Sequence, residues 1–234
     1  MIKAGLRWGL CTLLAGALFT QTAIASDDYF EVKVTNITRN MVFTPIMVAS
    51  VKEDNTIFKL GSPASAALEV IAETGDPSAL QESIDALEVT NSSFLPFLEP
   101  GQSVTQRVAT EGRYDHVSVA AMLIPTNDVF FGANAIEGPG RSKGKGKGKG
   151  KDRDGNDEVV TVTVRAYDAG TEINDELCAS LPGPGCGGDP GPDSDGEGYV
   201  YVSPGIRGGG DLDSAALDWK NPVALIEIRR VSDR

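Results

Sequence analysis

Polar and apolar residues alternate with a period of two along much of this chain. In YFEVKVTNIT (29–38), Phe30, Val32 and Val34 fall on one face and Glu31, Lys33 and Thr35 on the other. HVSVAAMLI (116–124) brings Val117, Val119, Ala121 and Leu123 together, and VVTVTVRA (159–166) does the same for Val160, Val162 and Val164. GYVYV (198–202) and VALIEIRRV (223–231) keep the period. Period two with β-branched residues is the signature of half-buried strands. Strands with one apolar face must cover each other, so the expected fold is mainly β, an antiparallel β-sandwich. MVFTPIMVAS (41–50) reads as another strand, and Pro45 predicts an edge or a bulge there, because proline donates nothing to a ladder.

Residues 63–88 have a different character. PASAALEVIAETG and DPSALQESIDALE are rich in Ala and Leu, with a proline near each start. Gly75 ends the first, and Asp76 with Pro77 starts the second as cap and first position. Two short helices joined at Gly75 are expected, capping one end of the sandwich.

The first residues read as an export signal rather than part of the fold. Lys3 and Arg7 form a positive n-region, Leu10 to Phe19 an apolar h-region, and Ala23-Ile24-Ala25 a small-x-small cleavage site. Cleavage is expected near Ala25/Ser26, leaving a secreted or periplasmic chain. The apolar run is short for a bilayer, and no later segment approaches about 20 apolar residues, so no transmembrane segment is expected in the mature chain. Removing residues 1–25 takes away Lys3 and Arg7 and no acid, which moves the formal charge from −12 to −14. Such a chain repels nucleic acid, whose phosphates need Lys and Arg, and suits cations instead.

Cys178 and Cys186 are the cysteines of the mature chain. In an oxidising compartment they are expected to form a disulfide, and their spacing is not the C-x-x-C of a redox site. Two segments are of low complexity. GPGRSKGKGKGKGKDRDGND (138–157) alternates Gly with Lys and reads as a loop between two strands, its Gly-Lys core at 141–157. PGPGCGGDPGPDSDGEG (182–198) is a Pro/Gly/Asp loop tethered by the disulfide.

Most catalytic chemistries lack their residues. His116 is the sole histidine and opens a strand, which suits a structural or surface role. A His-rich zinc site is excluded. GIRGGGD (205–211) is Gly-rich, but it is not a nucleotide fingerprint. DRDGNDE (152–158) resembles half a calcium loop with its glycine two places early. The expectation is a protein that is not an enzyme.

AYDAGTEINDE (166–176) carries the strongest signal. It follows an alternating strand and holds four acids in eleven residues. Asp168 and Glu172 stand four apart around Gly170, which permits a tight turn. Such a turn can direct both carboxylates to one point at a sheet's rim. Ca²⁺ takes 6–8 oxygens at about 2.3–2.6 Å, so further ligands are needed, and Asp128 in IPTNDVFFG (124–132) is a candidate.

PTNDVFFG, YDAGTEINDE and GYVYVSPGIRGGGDLDSAALDWKNPVALIEIRR together resemble the spondin N-terminal domain family in its bacterial secreted form. The resemblance spans about 27–234, giving one spondin-like domain over 26–234 with the Gly-Lys run as an insertion. It implies an antiparallel β-sandwich similar to calcium-dependent lipid-binding sandwiches, whose animal members are calcium-binding matrix and adhesion modules. It also implies Asp128, Asp168 and Glu172 as the calcium ligands. Val129 departs from the family's usual Trp, and Glu172 from its usual Asp. Tyr201, Ser203 and Arg207 stand where bacterial relatives often carry histidines.

The sequence therefore leads to a secreted calcium-binding β-sandwich serving in adhesion or ligand binding, with an extracellular protein, glycan or lipid surface as partner. Two rivals remain: a carboxylate-dependent hydrolase of the cell surface or periplasm, and a matrix protein whose Gly-Lys loop contacts anionic polymer.

Overall fold

The computed structural model describes residues 28–85, 92–140, 158–183, 185–188 and 196–232. The export signal, the Gly-Lys run and most of DRDGNDE lie outside these residues.

Two antiparallel sheets face each other. The first has the order β5 (Ser103–Ala109), β1 (Asp28–Asn36), β11 (Ala224–Ser232), β8 (Val159–Val164). The second runs β10 (Tyr201–Val202), β9 (Ala166–Asp168), β7 (Val129–Glu137), β6 (His116–Ile124), β3 (Ile46–Val51), β4 (Ser92–Leu95), with β2 (Val42–Phe43) also on β6. The expected faces meet between them. Phe30, Val32 and Val34 of β1 and Ile226 and Ile228 of β11 pack with Val117, Val119, Ala121 and Leu123 of β6 and Phe131 of β7 in one buried cluster.

The expected helical cap is seated over the outer face of the seven-stranded sheet. Helix α1 (Ala66–Thr74) is capped by Ser65, whose hydroxyl accepts the Leu68 N–H, and ends at Gly75 in the left-handed region. Helix α2 (Ser78–Asp85) begins where Asp76 accepts the Ser78 N–H at 2.9 Å. Their Leu68, Ile71, Leu80 and Ile84 form a second cluster with Met47, Ala49 and Val51 of β3 and Phe130 of β7. The sheet is thus apolar on both faces, and the molecule has three layers.

Other expectations are refined. The 41–50 segment is two strands broken at Thr44-Pro45, and β3 is an interior strand between β6 and β4 rather than an edge. Thr44 supplies the ladder bonds at the break: its N–H donates to the Met122 carbonyl and its hydroxyl accepts the Met122 N–H. The 159–166 run divides at Arg165, with β8 in one sheet and β9 in the other. GYVYV keeps only Tyr201–Val202 as strand. Strands β4, β5 and β7 and a short helix α3 (Ser214–Leu217) complete the fold. Among the described residues no helix is long and apolar enough to cross a membrane.

Candidate cation site

Strand ends bring the first two carboxylates together. Val129, at the start of β7, pairs with Asp168, at the end of β9. Asp128 therefore sits one residue outside the ladder beside Asp168, and its carbonyl accepts the Ala169 N–H at 3.2 Å. The turn before it is braced by Thr126, whose hydroxyl donates to the Leu123 carbonyl and accepts the Val129 N–H at 3.3 Å. Asn127 binds across to the acidic segment: its amide donates to Asp175 at 3.0 Å and its carbonyl oxygen accepts the Glu176 N–H at 3.3 Å.

The chain after β9 wraps around Asp128. Its Oδ2 accepts the backbone N–H of Thr171 at 2.8 Å, that of Glu172 at 3.1 Å, and the Thr171 hydroxyl at 3.2 Å. Gly170 makes this wrap possible. Its φ is +68°, and a Cβ there would stand 2.4 Å from the Tyr199 carbonyl oxygen. Asp168 closes the turn, accepting the Gly170 N–H on Oδ1 at 2.9 Å and the Asn174 amide on Oδ2 at 2.8 Å.

All three expected ligands are buried: Asp128 and Asp168 are 0% exposed and Glu172 2%. The Oδ1 of Asp128 is buried with no hydrogen-bond partner, while its Oδ2 has three. A bare carboxylate oxygen away from water is costly, so buried charges are normally paired or bound to metal. Electrostatics agree with this strain. Burial first, then the negative charge of Asp128, pushes the Asp168 carboxyl up to about 7. Burial also raises Asp128, against the hydrogen bonds from Thr171 and Glu172. Glu73 on α1 is raised chiefly by burial, against a hydrogen bond with Thr171.

The structure brings Asp128 and Asp168 together and places Glu172 on the same turn. It does not assemble a finished ligand set: among the described residues no group of three or more His, Cys, Asp or Glu stands ready to hold a metal ion. Sequence reasoning missed Glu197, whose charge acts on Asp128. Burial, the charge of Asp168 and hydrogen bonds to Asp168 and Glu197 push the Tyr201 phenol up.

Other expectations find their places. Cys178 and Cys186 form a disulfide. The His116 ring sits 2.8 Å from Asp115 at the strand's start with its side chain only 12% exposed, which fits the structural rather than the surface role. GIRGGGD offers backbone N–H groups to an internal acid: those of Arg207 and Gly209 donate to the two oxygens of Glu176.

Residues 28–139 match the Spondin_N family model, which ends short of the span the resemblance implied. The match includes Asp128 but not Asp168 or Glu172, although β1 inside it pairs with β11 beyond it. No curated protein matches the chain.

Proposed function

We propose that this protein, which carries a spondin N-terminal domain over residues 28–139, is a calcium-binding module of extracellular type that serves in adhesion or ligand binding. The domain belongs to an extracellular-type family, and the Cys178–Cys186 disulfide is consistent with that location. Export through residues 1–25 belongs to the same proposal.

The observation that carries the calcium reading is the bare, buried Oδ1 of Asp128 beside Asp168. Two carboxylates in that setting have two ways to settle. One takes a proton, which the raised Asp168 carboxyl describes. Alternatively, a cation replaces the proton and the repulsion becomes affinity. The ligands would be Asp128, Asp168 and Glu172, with Glu172 closing on the aspartate pair as the ion arrives. The charge-dense, oxygen-only donor set suits a hard cation, and the ion would serve to lock the two turns together.

The raised Asp168 also favours a hydrolase as second reading, since perturbed carboxyls mark active sites. A hydrolase needs a substrate cleft over that group. The cleft of about 710 Å³ between β7 and β8 is lined by Lys59, Arg165, four other polar residues (Thr56, Asn134, Thr163, Tyr167) and apolar ones, and none of Asp128, Asp168 and Glu172 is in its wall. The binding reading is therefore preferred.

The test is a thermal melt in chelator and in millimolar calcium, repeated with Asp168→Asn. Free calcium at 100 times its dissociation constant stabilises by about 2.7 kcal/mol. A clear rise in the wild type and a much smaller one in the variant are expected. Equal wild-type melts would remove the calcium reading.

A further inference from the structure

We infer that Glu197 is a fourth ligand of this site, closing it from the solvent side and setting its preference for Ca²⁺ over Mg²⁺; the inference rests on the calcium reading above.

Backbone contact fixes the position of Glu197. The Gly198 N–H donates to the Gly170 carbonyl at 2.8 Å. A Cβ on Gly196 would lie 2.4 Å from the same carbonyl oxygen and 2.7 Å from the Thr171 carbonyl carbon. The 196–199 segment therefore rests on the 170–171 turn, and at Gly196 there is no space for a side chain between them. Glu197, flanked by these two glycines, is held at the turn that carries Asp168 and Glu172. Its charge reaches Asp128, and Tyr201 hydrogen-bonds to Glu197 as well as to Asp168. Tyr201 itself pairs with Asp168 across β10 and β9, so the arm and the site share one ladder end.

Acidic residues in proximity can simply be solvated, and Glu197 is exposed. The independent observation is the partnerless Oδ1 of the fully buried Asp128. Solvation gives no reason to keep that oxygen bare next to two further negative charges. A cation does.

Coordination chemistry assigns the role. Ca²⁺ takes 6–8 oxygens and readily accepts a bidentate carboxylate, whereas Mg²⁺ demands a tight octahedron and keeps its waters. Asp128 has committed Oδ2 to three donors, which leaves one oxygen for an ion. Asp128, Asp168 and Glu172 therefore fall short of a calcium shell. A carboxylate arriving from solvent adds up to two oxygens, and its loss harms Ca²⁺ more than Mg²⁺.

The experiment is calorimetric titration of the full exported chain with Ca²⁺ alone and with Mg²⁺ alone, for the wild type, Glu197→Gln and Glu53→Gln. Glu53→Gln removes the same charge from an exposed turn after β3. Melts in chelator check that each variant folds. Glu197→Gln should weaken Ca²⁺ about tenfold, with Mg²⁺ changed far less and Glu53→Gln matching the wild type. Wild-type affinity in Glu197→Gln would overturn the inference and leave the calcium site standing. Equal losses in both variants would overturn it too, as a long-range charge effect. A wild type that binds no Ca²⁺ would overturn the calcium reading itself.

Discussion

The Oδ2 atom of Asp128 accepts the backbone N–H of Thr171 at 2.8 Å, joining two turns 43 residues apart in the chain. With the Glu172 N–H and the Thr171 hydroxyl on the same oxygen, Asp128 organises the turn before any ion arrives. Asp128→Ala leaves those donors without an acceptor and should cost about 1–3 kcal/mol even in chelator. Asp128→Asn keeps a carbonyl oxygen for them, so it should cost less in chelator while losing the calcium response. Denaturant melts of both variants, each with and without calcium, check the pair.

Proton linkage gives a second test. Burial and the charge of Asp128 raise Asp168 from 3.8 to about 7. The unfolded chain keeps the ordinary value, so between about pH 4 and 7 the folded state binds more protons. Stability from this group is complete below about pH 4 and is lost as pH rises through about 7. Asp128 is raised by burial and acts with the same sign. In chelator the melting midpoint should fall from pH 5 to pH 8, and Asp168→Asn should flatten the fall. Calcium displaces the proton, so its affinity should climb over the same interval. A midpoint that climbs with pH in chelator would contradict this arrangement.

Gly170→Ala probes the turn without touching a carboxylate. The new Cβ would stand 2.4 Å from the Tyr199 carbonyl oxygen on backbone at φ +68°. Both the clash and the left-handed conformation act against it, so a loss of roughly 2 kcal/mol or more is expected. Chemical denaturation measures the loss, and calcium affinity should fall with it because the arm at 196–199 is displaced.

The disulfide closes a short segment, with a sequence separation of 8. In the chain-entropy description such a closure stabilises by about 2.5 kcal/mol. At this chain length that corresponds to a midpoint shift of roughly 5–10 °C. Thiol titration of denatured protein from its native compartment should find neither Cys178 nor Cys186 free, and Cys178→Ser with Cys186→Ser should lower the midpoint accordingly.

Burial explains which parts of this structure could be read from sequence. Strands β1, β8 and β11 were legible because much of their length has one face against the core and one less covered, which yields alternation, whereas β6 was read from its spaced valines although it is covered on both faces. Strand β3 offers no such signal: Ile46–Val51 is buried at every position, between the other sheet and the helices. The start of β7 is hidden for the same reason. Strand β5 has only Val104 and Val108 as inward apolar residues in an otherwise polar run, too sparse a pattern to notice. The helices were legible through Gly75, Asp76 and Pro77, but their place over a sheet face depends on which side of β3 and β6 is apolar, and both sides are.

The site divides along similar lines. Asp128 and Asp168 could be named because each lies beside a strand end, where a short offset fixes the side chain. Glu197 lies in a low-complexity loop, and its approach to Gly170 depends on contact between glycines 26 to 28 positions away. No local pattern encodes that contact.

Equilibrium dialysis of the full exported chain against millimolar calcium tests the central claim most directly, by counting ions. The account predicts one Ca²⁺ bound per wild-type chain and none for the Asp128→Asn, Asp168→Asn double variant at the same concentration. No bound calcium in the wild type, or one ion still bound in the folded double variant, would contradict it.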